Sequence, residues 1–316
     1  MTLIYSTIFL LLCVINTHIM KIWFALLSLF FCLSCDDGGI AIESFDFDQT
    51  SLNYCDAPQG YLFYALNDAE TEAIMAQVLI DPATLLVDGT ANLVLNGNTQ
   101  SVVYRVFDQS VTQEYFCSAI PPNTPQVIEE FTANSGDVEL ISVVSYDDFD
   151  GLSLSQEGDL NLDTDVDGLP NFYDFDDDGD NVPTLFELDL VNADGDNDPL
   201  TNPLDTDSDG LPDYLDPDDD GDGVLTINED NNYDLDPTND VSDLDFGADY
   251  LNPEVAVDYS IELYREHVYE ITSALTVILR DLVLVRDAEE IIKDVLVLGV
   301  LPRFLTEDVV VTPLRD

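Results

Sequence analysis

Basic residues are nearly absent from this chain. Its 316 residues include 8 Lys and Arg against 65 Asp and Glu, a net charge of -57. Between Asp147 and Asp249 stand 35 acidic residues and no Lys or Arg, and six of the eight basic residues fall at or after Arg265. Phosphate contacts require Lys and Arg, so nucleic acid is excluded as a partner, and anionic lipid would repel the folded chain. Histidine is scarce too, with only His18 and His267. No Ser-His-Asp signature and no Gly-rich phosphate loop occurs, and the chain reads as a non-enzyme. Long apolar runs are also missing. Leu3 to Ile15 and Ile22 to Leu33 are the longest in the N-terminal segment, and both fall short of the ~18 to 20 residues a spanning helix needs.

Hydrophobic residues still make up 46% of the chain, so it is not a uniformly disordered polyanion. Residues 1–34 read as a signal peptide, with Met20 as an alternative start because Met20-Lys21 precedes the second apolar run. That run ends in Leu33-Ser34-Cys35-Asp36-Asp37-Gly38. A small residue, a cysteine and then an acidic stretch resemble the lipobox of bacterial lipoproteins in its loose Bacteroidota form. The resemblance implies a lipidated Cys35, export to the outer membrane and exposure at the cell surface, with a membrane contact made through the lipid alone. Cys13 and Cys32 lie in the leader, which leaves Cys55 and Cys117 as one pair expected to form a disulfide in an oxidising compartment.

The expected fold class is mainly β. Residues 35–50 read as the lipidated cysteine and its tether, and 51–146 as a small β-sandwich-like domain. Within it, Asn92 to Leu95 and Ser101 to Phe107 flank Asn96-Gly97-Asn98 as a hairpin, and Val127 to Phe131 pairs with Val138 to Tyr146 across Asn134-Ser135-Gly136-Asp137. Residues 147–253 form an Asp-rich section. Residues 254–316 are again rich in Val, Ile and Leu, with strands expected over Val255 to Leu263, His267 to Ile271, Leu275 to Val285 and Ile291 to Val300. The sequence leaves open whether they form a second β-domain or complete the first.

The acidic section is a repeat. Asp163, Asp165, Asp167, Gly168, Leu169, Pro170, Asn171 and Asp174 recur 42 residues later as Asp205, Asp207, Asp209, Gly210, Leu211, Pro212, Asp213 and Asp216. The same offset carries Asp176, Asp178, Asp180, Thr184 and Glu187 onto Asp218, Asp220, Asp222, Thr226 and Glu229. Each unit therefore holds two twelve-residue loops with acids at positions one, three, five and twelve. Ca²⁺ takes six to eight oxygens, and alternating Asp residues can turn three short carboxylates inward. Position seven offers a carbonyl from Leu169, Val182, Leu211 or Val224. Position nine offers Asn171, Thr184, Asp213 or Thr226, and the acid at position twelve closes the shell. Position six needs a positive φ, met by Gly168, Gly210 and Gly223 and by Asn181. Zinc is disfavoured because the section holds no Cys or His, and Mg²⁺ because it keeps more of its waters.

A 13-residue step between loops leaves no room for the flanking helices of EF-hands. The pattern instead resembles the type 3 repeats of thrombospondins and related Asp-rich repeats of bacterial surface proteins. Asp249-Tyr250-Leu251-Asn252-Pro253 echoes Asp213-Tyr214-Leu215-Asp216-Pro217 as a decayed third unit. The resemblance implies a chain wrapped around a row of calcium ions. Two like charges about 5 Å apart repel by roughly 0.8 kcal/mol even at the dielectric of water. The section is thus expected to be extended without Ca²⁺ and stiff with it, at affinities of about 10⁻⁴ to 10⁻³ M. With the lipobox and the β-domain, it implies a flavobacterial-type surface lipoprotein. Its expected work is adhesion or envelope architecture, the repeat serving as a calcium-stiffened spacer. The alternative is a glycan-binding or glycan-hydrolysing protein in which Tyr61, Tyr64 and Tyr104 are platform candidates.

Overall fold

Alternating apolar residues build eight antiparallel strands, and in the computed structural model all eight belong to one sheet. The structure describes Phe45, Phe47 and residues 51–58, 60–192 and 194–313. The chain divides into Met1–Asp46 and Phe47–Asp316, and every element below belongs to the second unit. The expected signal peptide and Cys35 lie outside the described residues. No helix among the described residues is long and apolar enough to cross a membrane.

The strands are β1 (Leu52–Ala57), β2 (Gly60–Leu66), β3 (Glu72–Val78), β4 (Gly89–Val94), β5 (Gln100–Phe107), β6 (Val127–Asp147), β7 (His267–Arg286) and β8 (Glu289–Val311). They follow the order β1-β2-β3-β5-β6-β7-β8, with β4 also paired to β6. The sheet curls into a near-barrel. Its two ends meet through side chains: Phe304 of β8 lies 4.8 Å from Tyr54 and 4.9 Å from Tyr61, ring centre to ring centre. Gly299 sits so close to Leu52 that a Cβ there would come within 2.9 Å of the leucine side chain.

The strands of residues 254–316 therefore complete the first β-region, and the fold is mainly β in one curled sheet. Three local expectations change. Residues 92–107 turn at Asn96–Gln100, yet β4 and β5 both pair with β6, β5 along Val127–Thr132 and β4 along Asp137–Ser142. The expected turn at 134–137 is instead a pair of bulges inside one 21-residue strand. Gly136 is required there: φ is +132°, and a Cβ would approach Arg280 O to 2.9 Å. Residues 255–263 form no strand, because their backbone bonds go to the acidic section. Tyr259 N donates to Asn228 O at 2.8 Å, and Ile261 N to Asn228 Oδ1 at 3.0 Å.

The inner face of the sheet carries Phe63, Ile74, Val102, Tyr104, Phe131, Leu140, Leu275, Leu279 and Leu282, all fully buried. Near β1 to β3 the outer face is covered too, by the 108–126 excursion with its short helix α1 (Gln113–Cys117). Phe116 stacks on Tyr64 at 4.2 Å, and Cys117 is disulfide-bonded to Cys55 with Cα atoms 5.4 Å apart. Tyr61, Tyr64 and Tyr104 are thus core residues and offer no surface for stacking a sugar.

Candidate metal centre

The Asp-rich section leaves the sheet at the end of β6 and returns at the start of β7. These strands are neighbours, with Asp147 opposite Glu270. The whole section is therefore an insertion at one end of the near-barrel. Tyr146 and Tyr269 from the sheet meet Phe172 and Tyr173 from the first loop, Tyr173 lying 4.9 Å from Tyr269. The returning residues 255–265 run back along the loops. Ile261 and Tyr264 pack on Ile227, and Asn181 clamps the strap: its Oδ1 accepts from Arg265 N at 2.9 Å and its amide donates to Leu263 O at 3.2 Å. Asn181 has φ +72°, so it supplies both the left-handed turn and this clamp, which a glycine could not.

Each turn is held by the same bonds. The N–H of position nine donates to the carbonyl before position one: Asn171 to Leu162, Thr184 to Phe175, Asp213 to Leu204 and Thr226 to Pro217. Position nine then fastens position two. Asn171 Oδ1 accepts from Thr164 N at 3.0 Å, Asp213 Oδ1 from Thr206 N at 2.7 Å, Thr184 Oγ1 from Asp177 N at 3.0 Å and Thr226 Oγ1 from Asp219 N at 3.2 Å. All four position-nine side chains are buried. Their polar atoms brace the turn.

Seven of the acids at positions one, three and five divide their oxygens, whereas Asp176 accepts loop N–H bonds on both. One oxygen takes a loop N–H: Asp167 Oδ1 accepts from Leu169 N at 2.7 Å, Asp180 Oδ1 from Val182 N at 2.6 Å and Asp222 Oδ1 from Val224 N at 2.8 Å. The second oxygen is buried with no hydrogen-bond partner in Asp163, Asp165, Asp167, Asp180, Asp218, Asp220 and Asp222. Asp178, Glu187 and Glu229 have both carboxylate oxygens buried and unpartnered. Stranded buried charge is costly unless something opposes it. The ion pairs of Arg105, Arg280, Arg286 and Arg303 are all made with acids of the sheet strands.

The structure brings Asp163, Asp165 and Asp167 together as one possible metal-holding group, and Asp176, Asp178 and Asp180 as another. The first loop pair is packed closely, since a Cβ on Gly179 would overlap the Asp165 carboxylate; Gly221 repeats this against Asp207. Asp205, Asp207, Asp209 and Leu211 are exposed, and Asp216 is half-buried. The decayed third turn keeps its bracing, with Ser242 N donating to Asp249 Oδ1 at 2.6 Å, although Val241 and Asn252 replace the acids at its ends.

Several acids outside the ligand scheme also face these clusters. Asp219 joins Asp180 and Glu187 in a group that links the two repeat units. Asp148, Asp150 and Glu157 form another group at the exit from β6. Asp177 is buried, and its carboxyl feels Asp150 and Asp148. Asp177 and Asp219 share the 42-residue offset, a signal present in the sequence that the EF-like scheme ignores.

Burial raises these carboxyls, and neighbouring carboxylates add to it. Asp165 and Asp174 are pushed up to about 8, Glu229 to about 9, and Asp177 and Asp219 to about 10. Asp178, Asp180 and Glu187 are raised well above the carboxylate range. Without a cation Asp165, Asp174, Glu229, Asp177 and Asp219 would therefore hold protons at neutral pH. A hard divalent cation fits the donor set, which is all oxygen in the groups of Asp163, Asp176 and Asp180. The exception is His267, whose Nδ1 lies 2.7 Å from Asp174 Oδ1. Burial lowers its pKa, against the pull of Asp176 and Asp167. Comparison with known proteins gives no match: no family model, no curated protein and no solved structure is similar enough to carry an inference.

Proposed function

We propose that this is a calcium-binding surface lipoprotein whose Asp-rich insertion takes its working shape only when loaded with Ca²⁺. The observation that carries the reading is the set of buried, unpartnered carboxylate oxygens at fixed loop positions, with no Lys or Arg in the section to oppose them. Oxygen donors in this number suit Ca²⁺ better than Mg²⁺, which keeps its waters, or a softer ion. The ions would be held chiefly by Asp163, Asp165 and Asp167, by Asp176, Asp178 and Asp180, by Asp180, Glu187 and Asp219, and by Asp218, Asp220, Asp222 and Glu229.

The insertion begins and ends on adjacent strands, so it does not separate the sheet from whatever precedes β1. As a spacer it acts sideways, projecting a stiff acidic lobe from one end of the near-barrel. That suits adhesion or envelope architecture, with a lipid anchor at Cys35, an outer-membrane location and no nucleic-acid partner. Calorimetric titration of the protein with Ca²⁺, alongside small-angle scattering with and without chelator, tests it. Saturable uptake of several ions with a shrinking maximum dimension supports the proposal. No stoichiometric uptake, or a shape indifferent to chelator, refutes it.

A further inference from the structure

We propose that the loop 163–174 is a mixed nitrogen–oxygen centre in which His267 is a ligand, and that it selects a first-row transition ion over Ca²⁺. The inference rests on the reading of Asp163–Asp174 as a cation-holding loop. It adds the ligand that makes this loop unlike the other three.

Asp167, Asp174 and His267 each offer a donor atom, and these atoms lie within 4.8 Å of one another. His267 is 1% exposed, and neither ring nitrogen has a hydrogen-bond partner. Its Nδ1 stands at hydrogen-bond distance from Asp174 Oδ1 without hydrogen-bond geometry. A neutral imidazole always carries one N–H and one lone pair. Burying both unmet costs about 1 to 3 kcal/mol for each stranded group. The ordinary alternative, a core histidine donating to a carbonyl, would satisfy the N–H and leave only the lone pair unmet.

The carboxylates present the complementary half. Asp167 Oδ1 is taken by Leu169 N and Asp174 Oδ1 by Asp176 N at 3.2 Å, while Oδ2 of each is buried and unpartnered. The free donors are thus His267 nitrogen, Asp167 Oδ2 and Asp174 Oδ2, with Asp163 and Asp165 beside them. Phe175 packs edge-on against the imidazole at 4.5 Å and fixes its plane. His267 is also the first residue of β7, so an ion bound here would join the loop to the sheet.

One imidazole with carboxylates suits Zn²⁺, Mn²⁺ or Co²⁺, whereas Ca²⁺ gains little from a nitrogen donor. Among the described residues His267 is the only histidine, so no other loop there has an imidazole beside it.

The test uses Co²⁺ on the full chain in millimolar Ca²⁺, read by visible d–d absorption and calorimetry. One equivalent of Co²⁺ should be retained against the calcium, with hyperfine-shifted imidazole proton signals. His267→Gln should weaken it by at least about 100-fold, leaving calcium uptake by the other loops unchanged. If this variant does not fold, the shifted imidazole signals of the unmodified protein decide alone. Calcium uptake with no retained Co²⁺, or Co²⁺ retained equally by His267→Gln, overturns this inference and leaves the calcium reading standing. Retained Co²⁺ with imidazole signals but no calcium uptake upholds this centre and refutes the calcium reading. Uptake of neither ion overturns both.

Discussion

Replacing Asp180 by Asn is expected to change sign with calcium. Asp180 Oδ1 accepts from Val182 N at 2.6 Å, and Oδ2 is buried and unpartnered. Asn keeps that acceptor and the volume, removes the charge, and turns an amide donor toward the cation position. Asp180 belongs to two groups, one with Asp176 and Asp178 and one with Glu187 and Asp219. Without calcium, a pair of charged carboxylates about 5 Å apart costs roughly 3 kcal/mol at an effective dielectric of 20. Burial and the neighbouring acids raise the Asp180 carboxyl, which softens the repulsion, so the relief in chelator is a fraction of that, and positive. With calcium, each ion bound at about 10⁻⁴ M contributes ~2.3 kcal/mol at about 5 mM Ca²⁺, and a tenfold weaker ion ~1.1 kcal/mol. Weakening two ions therefore costs about 2.5 kcal/mol, a fall in Tm of roughly 4 to 5 °C. Thermal unfolding of both proteins in calcium and in chelator measures this directly. Equal destabilisation under both conditions would refute the argument, since it would make Asp180 a structural residue with no ligand role.

Three further outcomes are expected. In chelator, stability should fall as pH rises from about 5 to 9. The raised carboxyls, Asp165 and Asp174 near 8 and Glu229 near 9, bind protons in the folded state that the unfolded chain has released. Calcium should flatten that slope, and Tm measured across the pH series in both conditions checks it. Asn181→Gly should keep the turn but lose the bonds to Arg265 N and Leu263 O, costing about 1 to 3 kcal/mol with calcium stoichiometry unchanged; denaturant titration and calorimetry read the two effects separately. Thr226→Val should strand the buried N–H of Asp219 and cost about 1 to 3 kcal/mol, again without loss of a bound ion. A lost ion would instead make position nine a ligand.

The loops were legible because their determinants are local. An acid two residues from the next, a left-handed residue at position six and a fixed return at position twelve can all be read along the chain. What escaped was non-local. Asp177 and Asp219 matter because of acids brought to them by folding, Asp148 and Asp150 in one case and Asp180 and Glu187 in the other. His267 is an unremarkable strand residue until the first loop packs on it. Residues 255–263 carry the Val and Ile of a strand, yet Asn228 and, just beyond them, Asn181 capture the returning chain. The mainly β character followed from alternation. The course of β6 did not, because Asn134-Ser135-Gly136-Asp137 has the composition of a turn and the geometry of a double bulge.

The attachment of the acidic section to two neighbouring strands has a consequence for its length. Its ends are held at a fixed, short separation by the ladder between Asp147 and Glu270. Adding or deleting an entire 42-residue unit leaves that doorway unaltered. Closing a loop twice as long costs only about 0.6 kcal/mol more. The reach of the lobe can thus be varied in steps of one unit while the strand register beneath it stays the same.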